Sequence, residues 1–427
     1  MLLCSPLKKT ILKMKLYTLL VCSFLSLTTV AQTVIVPTGP QALQQVRYRL
    51  TDDAQTAAPL ADWDLAFEIT GITGSVLVNT AKGMRVFKAP YTVAQWAQLD
   101  TAGLAANWPE QHNSETNWSS GALNQGLTAN PFDLGWGIYN FTTNNIAGDS
   151  LFVLVMADGQ YKKFVVNGFA SATNSFTFTL ASLDGANEQV GNLVRSDFAG
   201  KNFGYWSFTN GATSDPEPLA TDWDLLFTKY SAFVTQPFPA FYPVVGVLQN
   251  RQVEALQVDG IPSNDVQWTN QTLGAEMNII GYDWKNFNMT TFQWEYAQDR
   301  TYFVKDRAAN IWKLVFTTYG GSATGNVTFT KEFITATSVA EGQASQAFVL
   351  APNPASQGSV NVVIDAQVPQ LLLNIHDASG RLVREELLTG LGGLVQRTID
   401  LNGLGKGLYV LRLQGEGLNS SSRLVIE

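Results

Sequence analysis

The chain contains few cysteines, few histidines and few charged side chains. Both cysteines of its 427 residues, Cys4 and Cys22, lie within the first 31 residues, which we expect to be removed. The mature protein then has no thiol, disulfide or cysteine metal site, so it must be stabilised by core burial, for which it is long enough. Charged residues make up only 15% of the chain and aromatic residues 11%. This balance is typical of a β-rich extracellular protein, not of a disordered one.

Positive charge is especially scarce. The chain has 27 basic and 35 acidic residues, which gives a net charge of −8. The first 31 residues contain four lysines and no acidic residue, so their removal changes the net charge to −12. Because an acidic protein repels phosphate groups, we expect neither nucleic acid nor an anionic membrane as a partner.

The N-terminus has the pattern of a secretory signal peptide. Four lysines precede the mostly apolar run 16–27, and small residues then lead to Ala31. The pattern predicts a signal peptide over the first 31 residues, export to the periplasm, and cleavage between Ala31 and Gln32. The apolar run is too short to act as a transmembrane anchor. Both Met1 and Met14 remain open as the start of translation.

Signatures of catalysis are missing from the sequence as well. It contains neither G-x-S-x-G nor H-E-x-x-H. Of its two histidines, His112 and His376, the second lies in the C-terminal region, so the rest of the chain cannot form a site with two histidines. Neighbouring carboxylates such as Asp52 and Asp53 could serve glycoside hydrolysis, but a solvated loop explains them more simply. We therefore predict that the protein is not an enzyme.

The last eighty residues consist of short apolar runs separated by Gly, Asn, Asp or Pro. Strands of about five residues with turn chemistry every eight to twelve residues predict a small immunoglobulin-like β-sandwich. The predicted strands are Val360–Ile364, Leu371–Ile375, Leu394–Ile399, Leu408–Leu413 and Leu424–Ile426.

Four motifs in this region resemble a known family. They are Pro-Asn-Pro at 352–354, Gly-Arg-Leu-Val-Arg-Glu at 380–385, L-x-x-G-x-Y-x-L-R at 404–412 and Arg-Leu-Val-Ile at 423–426. In this order they resemble the C-terminal sorting domain of type IX secretion cargo, over Phe348–Glu427. The resemblance implies a Gram-negative cell, the type IX secretion machinery and its sorting protease as partners, and a protein attached to the outer cell surface or released from it. The alternative is an ordinary immunoglobulin-like module.

Residues 336–347 are small and polar, which predicts a linker between this domain and the preceding body. Two phrases of the body occur twice: 58–67 is similar to 217–227, and 149–164 is similar to 299–314. Each half begins with W-D-L-x-F and ends with a strand, a turn and a strand. The long period predicts a duplication into two β repeats, 32–210 and 211–335.

The two phrases also predict local structure. In the opening phrase Trp63, Leu65 and Phe67 alternate, so we expect all three to face one core, while Asp64 points to the other face or caps a loop amide. The same interpretation applies to the phrase that begins at Trp223. In the closing phrases, turn residues between apolar runs predict hairpins at 157–159 and 308–310. No segment of the mature body has a sustained helical period, so we predict an all-β fold.

The order of these phrases resembles the HmuY family of secreted haem-binding proteins. The family's middle phrase, G-W or G-Y-D, is matched at Gly135-Trp136 and at 281–283, and the resemblance covers most of Asp62–Thr330. It implies an all-β fold and, in some members, haem held between two axial ligands for iron acquisition.

Haem requires His, Met, Tyr or Cys as an axial ligand. In the loop where the family can place a ligand histidine, the first half has no histidine and the second half has Met289. His112 is the other candidate ligand, and both residues can equally be ordinary loop residues. A pair of methionines is a further option, drawn from Met84, Met156, Met277 and Met289.

The sequence therefore favours a non-catalytic binding protein, secreted or attached to the cell surface, with haem or a related tetrapyrrole as its ligand. The alternative is a surface adhesion, structural or carbohydrate-binding protein that keeps the scaffold without a haem site. Trp118 and Trp268 lie beside polar loop residues, where an aromatic ring can stack on a glycan or anchor a partner protein.

Overall fold

The computed structural model describes residues 31–71, 74–235, 238–266, 268, 272–336, 348–356, 358–366, 368–377, 380–391, 393–415 and 418–427. The predicted signal peptide before Ala31 and nearly all of the predicted linker, 337–347, lie outside these residues.

Antiparallel β-strands form most of the described chain, which confirms the predicted all-β fold. The strands of the body are β1 (Gln32–Pro37), β2 (Gln44–Tyr48), β3 (Gln55–Pro59), β4 (Leu65–Glu68), β5 (Val76–Val78), β6 (Arg85–Thr92), β7 (Glu110–Gln111), β8 (Gly137–Asn140), β9 (Asn145–Gly148), β10 (Ser150–Val155), β11 (Tyr161–Ala170), β12 (Ser175–Ser182), β13 (Gln189–Val194), β14 (Phe203–Ser207), β15 (Ala212–Ser214), β16 (Leu225–Val234), β17 (Ala240–Gln249), β18 (Glu254–Val258), β19 (Lys285–Asn288), β20 (Gln293–Tyr296), β21 (Thr301–Lys305), β22 (Asn310–Tyr319) and β23 (Asn326–Ala336). Those of the C-terminal region are β24 (Phe348–Ala351), β25 (Ser359–Ala366), β26 (Gln370–Asp377), β27 (Leu382–Thr389), β28 (Gly393–Asp400), β29 (Gly407–Gly415) and β30 (Leu418–Ile426). The described residues also form two short α-helices, α1 (Leu104–Asn107) and α2 (Gly321–Thr324), and 3₁₀ turns at Pro40–Ala42, Leu60–Asp62, Thr80–Lys82, Val93–Gln95, Ala122–Asn124, Arg195–Phe198 and Ala220–Asp222.

Two sheets built from residues 60–215, the first half of the body, enclose one core. The larger sheet has the order β13-β12-β11-β10-β6-β7 with β9 and β8 attached at β11, and the smaller has the order β15-β14-β4-β5. Leu65 and Phe67 of β4 are fully buried against Phe152, Phe164 and Phe178 of the larger sheet. Burial of one such side chain contributes about 1.5–3 kcal/mol, so this aromatic layer holds the two sheets together.

A second pair of sheets forms the second half, which consists of residues 216–336 and residues 31–59. The sheets have the orders β1-β23-β22-β21-β18 and β17-β16-β2-β3. Their core contains Tyr48, Phe227, Trp284 and Phe329, all fully buried. The edge of the Tyr48 ring meets Phe329 with ring centres 5.6 Å apart, a geometry that aromatic pairs prefer.

The three N-terminal strands complete the second half. β1 pairs with β23, with Gln32 opposite Lys331, and β2 pairs with β16, with Tyr48 opposite Leu225. In the first half the corresponding places, beside β12 and beside β4, are filled by β13 and β14. The sequence placed residues 32–59 in the first repeat, whereas their strands lie in sheets with residues 225–336.

Both hairpins predicted from the closing phrases are present. β10 pairs with β11 across Gly159, and β21 pairs with β22 across Ala309. Gly159 (φ 82°) and Ala309 (φ 64°) both adopt the left-handed backbone, which glycine accepts without steric cost but alanine does not. The Asp306 carboxylate accepts the N–H groups of Ala308 and Asn310, and these bonds hold the strained turn.

The C-terminal region is a small β-sandwich, as predicted. One sheet has the order β24-β25-β28 and the other β27-β26-β29-β30. The five predicted strands fall within β25, β26, β28, β29 and β30. The core between the sheets includes Phe348, Val362, Leu373, Ile375 and Leu411, which are all fully buried.

Candidate functional site

Both W-D-L-x-F phrases lie at the junction of the two halves. Leu65 and Phe67 enter the first core as predicted, but the prediction that Trp63 shares that core is wrong. A 3₁₀ turn at Leu60–Asp62 precedes Trp63, and β4 begins only at Leu65. The Trp63 ring therefore lies on the other face of the sheet, with its edge toward Tyr205 at 5.4 Å between ring centres.

The aspartate of each phrase caps a loop amide, as predicted. Asp64 accepts the N–H of Phe208 at 2.7 Å, and Asp224 accepts the N–H of Leu50 at 2.7 Å. Asp64 also forms a 2.7 Å ion pair with Lys82. Burial raises the pKa of Asp224 to about 6, because the charged carboxylate loses its hydration.

Two buried asparagines hold the start of each phrase by hydrogen bonds, and neither was predicted from the sequence. The amide of Asn79 donates to the carbonyls of Leu60 and Trp63. The amide of Asn250 donates to the carbonyls of Ala220 and Trp223 in the same way. Each asparagine ends a Leu-x-Asn triplet, at 77–79 and 248–250, and this short recurrence is the signal that could have revealed them.

The halves meet through a buried polar network. Arg47 of β2 donates to the Tyr205 hydroxyl of β14 at 3.1 Å, and Tyr205 donates to Glu217 at 2.7 Å. Asn202 donates to Asn250 at 2.8 Å. Such a network is stable only when its groups are paired, and here the pairing fixes the orientation of one half against the other.

Two further contacts cross between the halves. Arg251 forms a 2.5 Å ion pair with Glu68, whose side chain is 1% exposed. The indole N–H of Trp118 donates to the carbonyl of Gln249 at 2.8 Å, and its ring packs on apolar residues of both halves. Trp118 was predicted as a candidate for ligand stacking, and the structure places it at the junction.

A cleft opens along this junction. It encloses about 80 Å³, and about 720 Å³ of empty space when the open solvent at its mouth is included. Its apolar wall consists of Leu77 from the first half and Leu226, Leu248 and Met277 from the second half. Ligand sites in proteins are commonly apolar clefts of this kind that carry a few placed polar groups.

Three nitrogens of cleft-lining side chains have no hydrogen-bond partner. They are Nε2 of Gln45, Nε of Arg47 and Nε1 of Trp63. Gln45 and Arg47 are 2% and 3% exposed, so water does not reach these atoms readily. An unpaired buried donor costs about 1–3 kcal/mol. Other described residues away from the cleft also carry such donors, among them Nε of Arg195 and Nε1 of Trp284.

The predicted ligand Met289 lies away from this cleft. It is 72% exposed in the turn between β19 and β20, and it does not line the cleft. The Asn288 side chain accepts the N–H groups of Thr290 and Thr291, and Asn140 accepts those of Thr142 and Thr143 in the first half. The same kind of turn therefore occurs once in each half, and Met289 in the second half is equivalent to the exposed Phe141 in the first half.

The other predicted ligand, His112, is half-buried beside the cleft. Its ring stacks on Phe241 of β17 with centres 3.4 Å apart. Burial lowers the pKa of His112, because the imidazolium form is desolvated. Its neighbour Asn113 lines the cleft, whereas His112 itself does not.

The remaining methionine candidates are dispersed. Met84 is buried in the first core and Met156 packs against that core, whereas Met277 is 6% exposed and lines the cleft. Among the described residues no group of three or more His, Cys, Asp or Glu side chains could hold a metal ion. At the predicted signal cleavage site, Ala31 and Gln32 are both exposed and Gln32 begins β1.

The described part of the chain contains no helix that is long and apolar enough to cross a membrane. No protein with a curated description matches the chain. Among solved structures, a biofilm-associated protein (BSP domain) has 10% identity over 65% of this chain and 48% of that chain, with a TM-score of 0.16. The structure of Escherichia coli alpha-2-macroglobulin activated by porcine elastase has 11% identity over 93% of this chain and 44% of that chain, with a TM-score of 0.12. The chain thus spans about half the length of these two structures.

A family profile gives a result for the C-terminal region. The profile described as a secretion system C-terminal sorting domain matches residues 349–427. This is the sandwich formed by β24 to β30, in which the four family motifs lie. The chain therefore carries, at residues 349–427, a C-terminal sorting domain of type IX secretion, which implies export to the cell surface or the extracellular space.

Proposed function

We propose that the protein is a non-catalytic binding protein that type IX secretion delivers to the outer cell surface or the medium. Its ligand is a small molecule held in the cleft between the two halves. The observation that carries this proposal is the cleft at the junction of the halves, which combines an apolar wall with polar side chains such as Asn79 and Asn113. Export to the periplasm by the predicted signal peptide is the first step of this route.

The export step is tested by removal of residues 349–427. The shortened protein should accumulate in the periplasm, while the full chain appears outside the cell, as measured by fractionation and surface labelling. A point variant at an exposed position of the sandwich, Leu387→Ser, is the control and should be exported normally. Normal appearance of the shortened protein at the surface would contradict the proposal.

The binding step is tested without knowledge of the ligand. The protein is purified from its own cells, and co-purifying small molecules are identified by native mass spectrometry. Ala81→Trp, at the rim of the cleft, should remove the bound molecule. Ala61→Trp, at a nearby exposed residue outside the cleft lining, should retain it. Equal ligand content in both variants would show that the ligand binds outside the cleft.

Haem stays a separate prediction. The resemblance to the HmuY family motivates it, but neither Met289 nor His112 lines the cleft, so the geometry does not favour a haem held axially by this pair. Titration with haemin, followed by the Soret band, tests it directly. A Soret shift that is lost in Met289→Ala but kept in Met277→Leu would support Met289 as a haem ligand. The absence of a shift in the parent protein would contradict the haem hypothesis.

A second candidate function is glycan or protein adhesion at the tip of the β16–β17 hairpin. Phe238 and Tyr242 are 78% and 62% exposed there, and Phe233 packs edge-on against Phe241. Exposed rings of this kind stack on sugars or anchor a partner. Glycan-array binding that is lost in Tyr242→Ala, with the cleft ligand retained, would favour this function.

A further inference from the structure

One face of the body is covered by the sorting domain. Arg195, in the 3₁₀ turn after β13, donates to Asp365 of β25 at 2.5 Å and to the carbonyl of Gly71 at 3.2 Å, and the side chains of Arg195 and Asp365 are both buried. The Arg195 guanidinium also faces the Phe169 ring at 5.4 Å. Because a buried charge is costly without a partner, Asp365 stabilises Arg195 as long as the two regions are in contact.

A leucine of the sorting domain accompanies this carboxylate. Leu394 of β28 lies opposite Asp365 in the antiparallel pair, so both side chains leave the same face of their sheet. The neighbouring Ile364 points the other way, into the core of the sandwich. Leu394 is 6% exposed and borders a small space together with Ile146 and Phe169 of the first half. The sandwich therefore presents a carboxylate beside an aliphatic side chain to the body.

The contact between the body and the sandwich depends on side chains. Within the described residues no strand of the body is hydrogen-bonded to a strand of the sandwich. The contact centres on the Arg195–Asp365 pair and Leu394, whereas stable interfaces usually bury about 1,200–2,000 Å² around an apolar centre. A linker holds two regions at an effective concentration in the millimolar range, which keeps such a contact formed. We expect the contact to open when the linker is cut and the protein is dilute.

Opening of the contact changes the surface of the body around Arg195. The guanidinium loses the Asp365 carboxylate, and Glu68, which borders the same small space, already pairs with Arg251 at 2.5 Å. The edge of Phe169, which is 3% exposed in the intact chain, meets water beside the free cation. A cation next to an apolar edge, in a protein of net charge −8, attracts an acidic group and offers it an apolar contact.

We propose that the face around Arg195 is an interaction site for a protein surface that carries a carboxylate beside an aliphatic side chain, and that the sorting domain covers this site while it is attached. Asp365 and Leu394 then occupy the places of the two side chains of the partner. Arg195 does not line the cleft, so this inference is independent of the proposed ligand binding.

Covering of the site is tested with phenylglyoxal, which modifies exposed arginines, followed by mass spectrometry. A protease recognition sequence is inserted within 337–347 of the full mature chain, and the chain is compared before and after the cut in dilute solution. Arg195 should be protected before the cut and should afterwards react at a rate approaching that of Arg381, which is 78% exposed. Arg47, 3% exposed within the body, should stay protected in both states. Reaction of Arg195 in the intact chain, or its continued protection after the cut, would overturn the proposal.

Recognition of the carboxylate is tested by returning the released sorting domain to the released body at up to about 1 mM, which is similar to the effective concentration that a linker provides. The parent domain should restore the protection of Arg195. A domain with Asp365→Asn keeps the size of the side chain, which points away from the sandwich core, and should bind at least about tenfold more weakly. Glu386→Gln removes the same charge at an exposed position and should bind like the parent domain. Equal protection by the Asp365→Asn domain, or no protection by the parent domain, would overturn the proposed recognition.

Discussion

Lys285 shows how a single buried cation is accommodated in the second half. Its ammonium group donates to the carbonyls of Val245 at 2.5 Å and Tyr282 at 3.3 Å. It also lies 4.3 Å from the centre of the Trp284 ring and 5.0 Å from that of Tyr319. Burial lowers the pKa of Lys285 to about 7, because these groups replace bulk water incompletely.

This shift predicts a pH dependence of stability. The unfolded lysine titrates near pH 10.4, so between about pH 7 and pH 10 the unfolded chain binds a proton that the folded protein does not. The contribution of Lys285 to the free energy of unfolding should therefore rise with pH across this window and be lowest below pH 7. Lys285→Met should flatten the rise, by an amount on the order of a few kcal/mol, in urea unfolding measured at several pH values.

The exposed Lys406→Met serves as the control for this experiment. It should leave the pH dependence of the parent protein intact. A profile for Lys285→Met that is parallel to that of the parent would show that Lys285 titrates normally.

Asn250 is the second residue for which the structure makes a definite prediction. Asn250→Ala removes two donors from buried carbonyls and one acceptor from Asn202, so it should lower the free energy of unfolding by about 2–4 kcal/mol. The exposed Asn167→Ala should cost well under about 1 kcal/mol. Similar losses of unfolding free energy in the two variants would contradict the role of Asn250 in holding residues 220–223.

At the residue scale, the sequence predicted only those roles that follow from local alternation and capping. That Asp64 caps a loop amide was predicted because a short carboxylate readily bonds backbone N–H groups. Its partner Phe208, 144 positions away, could not be predicted. The side on which Trp63 lies was predicted wrongly, since a 3₁₀ turn delays the start of β4. Asn250 was missed because its partners Ala220 and Trp223 lie 30 and 27 positions away in the sequence, and only the fold brings them together.

At the scale of elements, β1 is the strand whose role the sequence could least reveal. Val36 of β1 is fully buried in the second core, while its neighbour Ile35 is 53% exposed on the opposite face. Val36→Asp should destabilise the second half by about 3 kcal/mol or more, because it places a charge in an apolar core. Hydrogen exchange should then show lost protection in residues 225–336, although the substitution lies near the N-terminus.

Ile35→Asp is the matched control, since it adds the same charge to the same strand on its exposed face. It should cost about 1 kcal/mol or less and leave the exchange pattern unchanged. Loss of protection confined to residues 60–215 in Val36→Asp would contradict the assignment of β1 to the second half.

Hairpins were predictable because both strands and the turn lie close together in the sequence. The turns at Gly159 and Ala309 and the five tail strands follow from turn residues and alternation alone. The order of strands within a sheet cannot be predicted in this way. β13 and β1 occupy equivalent places in their sheets, but β13 directly follows its partner β12 in the sequence, whereas β1 precedes its partner β23 by most of the body.

At the scale of the whole molecule, one buried ion pair joins the body to the sorting domain. Arg195 and Asp365 are 2.5 Å apart, and their side chains are 4% and 2% exposed. The Arg195 guanidinium also faces the Phe169 ring at 5.4 Å. Burial raises the pKa of Asp365, since the carboxylate is desolvated more strongly than Arg195 compensates.

Substitution of Arg195 or Asp365 alone should lower the free energy of unfolding strongly, whereas substitution of both should lower it much less. Asp365→Leu or Arg195→Met alone leaves an unpaired buried charge and should lower the free energy of unfolding by about 3–5 kcal/mol. The double variant should lose much less than the sum of the two, which a double-mutant cycle by chemical denaturation measures. Additive losses would show that the two charges do not interact across the domains.

The exposed pair Arg381–Asp377 provides the comparison, since Arg381 is 78% exposed. Arg381→Met should cost at most about 1 kcal/mol. The sequence predicted the sorting domain from its own motifs, but a contact between two separately folded regions has no sequence pattern of its own. The junction of the halves, and with it the cleft, could not be predicted for the same reason.

The N-terminal strands of the second half have a consequence for the timing of folding. A chain is made from its N-terminus, so β1, β2 and β3 appear first and wait for partners that appear last. The ammonium of Lys331 bonds the carbonyl of Leu50 across 281 positions of sequence, and closing so long a loop is entropically costly and slow. We expect the first half to fold while the second half still has open sheet edges. The second half thus becomes compact only after nearly all of the body has been made, and its unpaired strand edges stay exposed until then.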